Sequence, residues 1–118
     1  MSREKGALGE AIAKTYLEGQ GYRILAQNAT FKAGELDLVA QSDEGILVFV
    51  EVKAYGPGSL LHPLQALTAK KRGRLLKAAS LYLLRLRLQD IPLRFDLICI
   101  QAGAVSEHFQ NVFGKDVV

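Results

Sequence analysis

The chain carries one cysteine, no tryptophan and three prolines among its 118 residues. A lone thiol excludes an internal disulfide. The setting of Cys99 in Leu97-Ile98-Cys99-Ile100 predicts a buried thiol in a reducing compartment. The two histidines, His62 and His108, do not form a ligand pair by spacing, which argues against zinc. No apolar run approaches the roughly 20 residues that a membrane span needs. The opening Met1-Ser2-Arg3-Glu4-Lys5-Gly6 lacks a signal-peptide apolar core. A soluble cytoplasmic protein with no membrane partner is therefore expected.

Acidic residues are missing from one long stretch. Residues 53–89 hold eight bases (Lys53, Lys70, Lys71, Arg72, Arg74, Lys77, Arg85 and Arg87) and no acid. Residues 1–52 hold eight acids and five bases, so the net charge of +3 hides a strong asymmetry. A basic block of this length points to a polyanion, with nucleic acid as the default partner, or to a solvated helix face balanced from elsewhere.

With 49% hydrophobic and 23% charged residues, the chain reads as one globular domain over residues 1–118. A chain of this length buries roughly two-thirds of its unfolded surface. Residues 4–19 have helical content. Leu8, Ala11, Ile12, Thr15 and Tyr16 follow the 3.6 period, widened by Ala7, Ala13 and Leu17, and Gly19 and Gly21 end the run. Gly6 and Gly9 weaken that helix, as expected where a backbone passes close by. Tyr22 to Ala26 reads as a short strand, Asn28 to Ala33 as a turn, and Glu35 to Gln41 and Ile46 to Lys53 as strands. In the second of these strands, Leu36 and Leu38 should lie opposite Glu35, Asp37 and Val39.

Asp43-Glu44-Gly45 suits a three-residue hairpin, a type I turn closed by a glycine bulge. That loop pairs Ser42 with Ile46 and sets position 37 against position 51. A helix from His62 to Leu86 follows, with Pro63 in its first turn and an apolar face of Leu64, Leu67, Leu75, Ala78, Ala79, Tyr82 and Leu83. Gly56-Pro57-Gly58 precedes it as a loop, and Asp90-Ile91-Pro92 breaks it. Leu93 to Gln101 reads as a strand, and Val105 to Val112 as a final edge strand. The expected fold is α/β, an α+β mixed sheet in the order α-β-β-β-α-β with helices packed against it.

The hairpin register gathers charge. Glu35 and Asp37 share one strand face, as do Glu51 and Lys53 on the next strand, and directly opposed residues share a face. Asp37 and Glu51 would then have β-carbons roughly 5 Å apart. Facing carboxylates repel, and a charge within Leu47-Val48-Phe49-Val50-Glu51-Val52-Lys53 is costly unless paired or metal-bound. Either a Glu51–Lys53 surface pair with solvated Glu35 and Asp37, or a hard cation such as Mg²⁺, answers that cost. On the long helix, Lys70, Arg74 and Lys77 recur at i, i+4 and i+7. Together with Lys71 and Gln65 they form an expected phosphate-binding face without sequence specificity.

The segments Gly34-Glu35-Leu36-Asp37-Leu38-Val39-Ala40 and Phe49-Val50-Glu51-Val52-Lys53 resemble the core of the PD-(D/E)XK nuclease superfamily. Gly9-Glu10, Gly21-Tyr22-Arg23-Ile24-Leu25 with Asn28, and Arg94-Phe95-Asp96 extend the resemblance to the YraN-like family of uncharacterised bacterial proteins. It covers residues 6–100. The resemblance implies a restriction-endonuclease-like core and a Mg²⁺-dependent endonuclease, with Mn²⁺ as a substitute, acting on DNA that includes branched forms. It also implies Asp37 and Glu51 as metal ligands, Lys53 as the catalytic lysine and Glu10 as the helix-borne acid of Holliday-junction resolvases. Glu35 stands beside Asp37 as a supporting carboxylate, and Asp96 reads as structural, a partner for Arg94. Leu36 replaces the superfamily's proline. Ala54-Tyr55 replaces an expected Thr-Arg, which removes a phosphate contact. Resolution of a branch would need two active sites, hence a homodimer. A nucleic-acid-binding module retaining a nuclease scaffold is the alternative, and an adaptor for an acidic protein is a third class.

Overall fold

The computed structural model describes residues 3–56 and 62–113. Helix α1 spans Arg3–Gly19, followed by strands β1 (Arg23–Phe31), β2 (Gly34–Gln41) and β3 (Leu47–Tyr55), helix α2 (Ala69–Arg85), and strands β4 (Leu93–Gln101) and β5 (Ala104–Phe109). The five strands form one mixed sheet in sequence order. All neighbours are antiparallel except β3 and β4, which run parallel across the α2 crossover. The α-β-β-β-α-β order and the mixed sheet match the sequence reading. No helix among the described residues is long and apolar enough to cross a membrane.

Two cores sandwich the sheet. Ala13 and Leu17 of α1 pack with Leu38, Ala40, Val48, Val50, Ile98 and Ile100. On the other face, Leu75, Ala78, Ala79 and Tyr82 of α2 pack with Val39, Leu47, Phe49, Phe95, Leu97 and Cys99. Cys99 is a buried free thiol. Strands β3 and β4 are covered on both sides, which explains their near-continuous apolar runs.

The buried stripe of α1 is Gly9, Ala13 and Leu17 rather than the one centred on Leu8, which is 62% exposed. Small residues bring this helix close to the sheet. A β-carbon on Gly9 would meet only side chains, Ile100 at 3.8 Å and Val52 at 3.9 Å, which are ordinary contacts. No protein backbone therefore requires that glycine. The helix closes with Tyr22 N–H on Leu17 O and Gly21 N–H on Glu18 O, with Gly21 at φ +92, the geometry of a glycine-terminated helix.

The hairpin forms as its sequence predicts. Gly45 N–H donates to Ser42 O, Ser42 N–H donates to Ile46 O, and Gly45 takes φ +85. The resulting register runs from Gln41↔Leu47 to Leu38↔Val50.

Three boundaries and the facing of one residue differ from the sequence reading. Asn28 to Phe31 continues β1 instead of turning. An outer strand with one edge in water accepts polar residues, and Asn28 adopts φ 51 within it. On both strands the alternation breaks at this point. Ala26 and Ala29 both touch the α2-side core, as do Val39 and Leu36. Leu36 therefore lies on the same side as Val39, not opposite it. The helix expected from His62 is two pieces, a 3-10 turn at Pro63–Ala66 and α2 itself. Thr68 separates them by accepting Lys71 N–H on its hydroxyl at 3.2 Å, so it acts as an N-cap. Leu64 is left 39% exposed. Strand β5 ends at Phe109, after which Val112 N–H donates to Phe95 O. The loop expected at Gly56-Pro57-Gly58 lies outside the described residues from Pro57 on.

A polar network ties β5 and α1 to β4. Asp96, 1% exposed, accepts two hydrogen bonds from Arg94, at 2.8 and 2.9 Å, and one from the Asn111 N–H. It also pairs with His108 Nε2 at 2.7 Å, whose Nδ1 meets the Tyr16 hydroxyl at 3.0 Å. Arg94 donates in addition to the Tyr22 hydroxyl. Burial alone would raise the Asp96 pKa, but the bonds from His108, Arg94 and Asn111 outweigh it and hold the pKa down. Asp96 thus sits in a satisfied structural network.

Candidate metal centre and basic cleft

The start of β2 and the end of β3 meet at one end of the sheet because the two strands are antiparallel. Beyond Leu38↔Val50 the same register carries Asp37 to Glu51. There the backbone ladder gives way to a side chain. Val52 N–H, which continued pairing would direct to the backbone of Leu36, donates instead to Asp37 Oδ2 at 2.9 Å. Asp37 also hydrogen-bonds Glu51 side chain to side chain. The β2–β3 hairpin therefore brings these two carboxyls together.

Helix α1 adds a third acid. Glu10 lies at the border of the buried stripe, and its carboxylate hydrogen-bonds the side chain of Asn28. Carboxylate oxygens of Glu10, Glu35 and Asp37 lie within 4.8 Å of one another. Asn28 matters here in two ways, through the strand irregularity and as the partner of Glu10. Its sequence signal was its residue type, since asparagine tolerates the left-handed region better than most residues.

Crowding shows in the protonation equilibria. Burial, then the charge of Glu51 and the hydrogen bond with it, push the Asp37 carboxyl from an ordinary 3.8 to about 8. The Val52 N–H opposes this shift, and Glu10 adds to it. Burial also raises Glu10, against the Asn28 hydrogen bond and with help from Glu35 and Glu51.

These acids form one wall of a cleft of about 580 Å³. The opposite wall is the first turns of α2, with Lys70, Lys71 and Arg74, and Lys53 lines the space between. Glu51 is only 6% exposed, and its counter-charge is Lys71, which forms an ion pair with Glu51 Oε2. The alternative pairing of Glu51 with Lys53 does not occur. Lys53 has no ion pair among the described residues. Lys77 is exposed further along α2 and does not line the cleft. Gln65 lies outside it as well, because its side chain accepts the His62 N–H at 3.1 Å and caps the 3-10 turn. Sequence spacing placed Gln65 on the α2 face only by treating the two helical pieces as one.

The donor set fits a hard cation. It offers carboxylate oxygens alone, and oxygens on opposite sides of Mg²⁺ or Ca²⁺ stand roughly 4–5 Å apart. An ion would also relieve the repulsion that raises Asp37.

A family model described as "Uncharacterised protein family UPF0102" matches residues 9–100. A UPF0102 protein of Symbiobacterium thermophilum is 48% identical over 103 residues, which cover 87% of this chain and 86% of the relative. One from Chlorobium limicola is 37% identical over 94% of this chain and 92% of the relative. A third, from Oleidesulfovibrio alaskensis, is 46% identical over 84% of this chain, which spans about half, 48%, of that longer protein. Among solved structures, Pyrococcus furiosus SfsA in complex with Ca²⁺ matches over 88% of this chain and 59% of that one. Its sequence identity is 14% and its TM-score 0.26, too loose a likeness to bear on the fold.

Proposed function

The chain belongs to the uncharacterised protein family UPF0102, the YraN-like family its motifs resemble, and from its cleft we propose a Mg²⁺-dependent nuclease that hydrolyses phosphodiester bonds in DNA. One observation carries this reading. Asp37 and Glu51 converge with Glu10 and Glu35 on one wall of a cleft whose other wall is cationic. Few ligands other than a metal and a phosphate answer both walls at once.

Asp37 and Glu51 would hold the ion, with Glu10 and Glu35 in reach. A bound Mg²⁺, or Mn²⁺ in its place, supplies a polarised phosphate oxygen and a water of lowered pKa. Lys53 orients the attacking water and offsets charge that develops on the phosphate oxygens. Lys70 and Arg74 hold the backbone by its phosphates. Val52 N–H fixes the Asp37 carboxylate, so that ligand is preorganised.

The Glu51–Lys71 ion pair favours a second reading. It neutralises Glu51 without any metal, as a binding module that kept the scaffold would require. A cleavage assay separates the two. Duplex, single-stranded and four-way DNA and RNA are incubated with Mg²⁺ or Mn²⁺ and the parent, Lys53→Ala or Asp37→Asn. Loss of one transition-state-stabilising group costs about 100- to 1,000-fold in rate. Lys53→Ala should lose at least that while keeping most of its DNA affinity. Equal rates for Lys53→Ala and the parent would end the assignment. Binding with no metal-dependent cleavage would establish the second reading.

A further inference from the structure

Glu51 and Lys71 raise a question of charge. Glu51 is almost fully buried, its side chain 7% exposed, and its carboxylate lies against the Lys71 ammonium, whose side chain is 35% exposed. A buried carboxylate needs a partner, and here the partner comes from the first turn of α2. Lys71 is anchored at its backbone by Thr68, while its four-carbon stem is free to reorient. A divalent cation on Glu51 would stand beside that ammonium, and the two positive charges would repel. Lys71 must then leave. A phosphate entering the cleft beside Lys70 and Arg74 of the same helix would give that ammonium another anion.

We propose that Lys71 is an internal stand-in for the metal: its ammonium neutralises Glu51 until a nucleic-acid phosphate draws it away, so that metal and nucleic acid bind cooperatively. This rests on the metal-centre reading above and adds to it the regulation of the same site. Free protein holds metal weakly because each ion must displace Lys71. A bound phosphate takes over Lys71 and frees Glu51 for the ion. By linkage the effect is reciprocal, so the metal tightens nucleic-acid binding by the same factor. Lys71 is thus a positioning residue acting through Glu51. Couplings of this kind span roughly 5- to 150-fold, and displacement of a single partly exposed ammonium suggests about tenfold.

The test is Mn²⁺ affinity, measured by calorimetry or electron paramagnetic resonance on the full chain. A Lys53→Ala background keeps the DNA intact. A short DNA oligonucleotide should tighten Mn²⁺ binding about tenfold in this background. Adding Lys71→Met should tighten Mn²⁺ binding about tenfold without DNA, and DNA should then add less than twofold. Lys71→Arg, which keeps the ion pair, should keep the coupling. General attraction of cations to DNA would persist in Lys71→Met, so persistence of the full DNA effect there overturns the proposal. The DNA effect with Lys71 intact needs no variant at that position, so its absence also overturns the proposal even if Lys71→Met fails to fold. Asp37→Asn separates the two levels. Mn²⁺ binding that depends on Asp37 but not on Lys71 ends the coupling alone. Binding indifferent to Asp37 ends the metal centre, and the coupling with it.

Discussion

Replacing Asp37 with asparagine should make the metal-free protein more stable, by a margin that grows as pH rises from 5 to 9. The native carboxyl titrates at about 8 instead of 3.8 because it is buried beside Glu51. Folding therefore raises its pKa. Between those two values the native state keeps a proton that the unfolded chain has released. Stability falls as pH rises through that window and levels off above it. At about 1.4 kcal/mol per tenfold, the displacement caps the loss at about 6 kcal/mol. The cleft is open to water, which screens these charges, so about 2–3 kcal/mol is the expected loss. For a chain of this size that is about 10 °C in melting temperature. Asparagine keeps an oxygen to accept the Val52 N–H, so the two proteins are matched only below about pH 3.8, where Asp37 is protonated in both folded and unfolded states. Glu10, also raised, titrates in both. The assay is thermal or urea unfolding in a chelator from pH 5 to 9. Parallel curves for parent and variant would refute the reasoning. Excess Mg²⁺ at pH 8–9 should restore the parent, by mass action on the ionised pair, and leave Asp37→Asn unmoved.

Two further outcomes follow from other parts of the molecule. Asp96→Ala leaves Arg94 and His108 without their shared partner; removal of one member of a buried charged network typically costs about 3–5 kcal/mol, which urea unfolding would show, and a loss below about 1 kcal/mol would contradict the network's role. On the proposed function, DNA affinity, read by gel shift or fluorescence anisotropy, should fall steeply between about 50 and 200 mM salt, as Lys70, Lys71 and Arg74 would meet phosphates; a flat response would count against the cationic wall as the binding surface.

The hairpin was legible because its loop leaves few options. Gly45 supplies a positive φ that most residues resist, and three loop residues fix the register. From that register alone position 37 meets position 51. The buried strands were legible from their β-branched runs. What failed was local chemistry overridden by context. Asn28 to Phe31 reads as a turn in isolation, yet an edge strand with water on one side accepts those side chains. The helix starting at His62 carried two start signals, Pro63 and Thr68. The apolar period ran through both, and only the Thr68 cap shows which one begins α2. In α1 the larger apolar residues suggested the buried face, but close packing against the sheet favoured Gly9 and Ala13. Glu10 borders that smaller stripe, and so reaches the cleft.

The segregation of charge along the chain gains a physical reason from the crossover. All four clustered acids, Glu10, Glu35, Asp37 and Glu51, precede residue 53, and the cations of the facing wall all follow it. The parallel β3–α2–β4 connection returns the basic segment over the acidic end of the sheet. If α2 carried acids of its own, they would pair with its lysines at helical spacing and quench the wall. An acid-free helix leaves each cation with one internal choice, the acids across the cleft, and only Lys71 takes it. Lys70 and Arg74 stay exposed, while Asp37 is held by Val52 and Glu51 and Glu10 by Asn28. The two walls thus meet in a single ion pair, Glu51–Lys71, and the carboxyls and cations left over are the electrostatic form that a metal and a phosphate, arriving together, would complete.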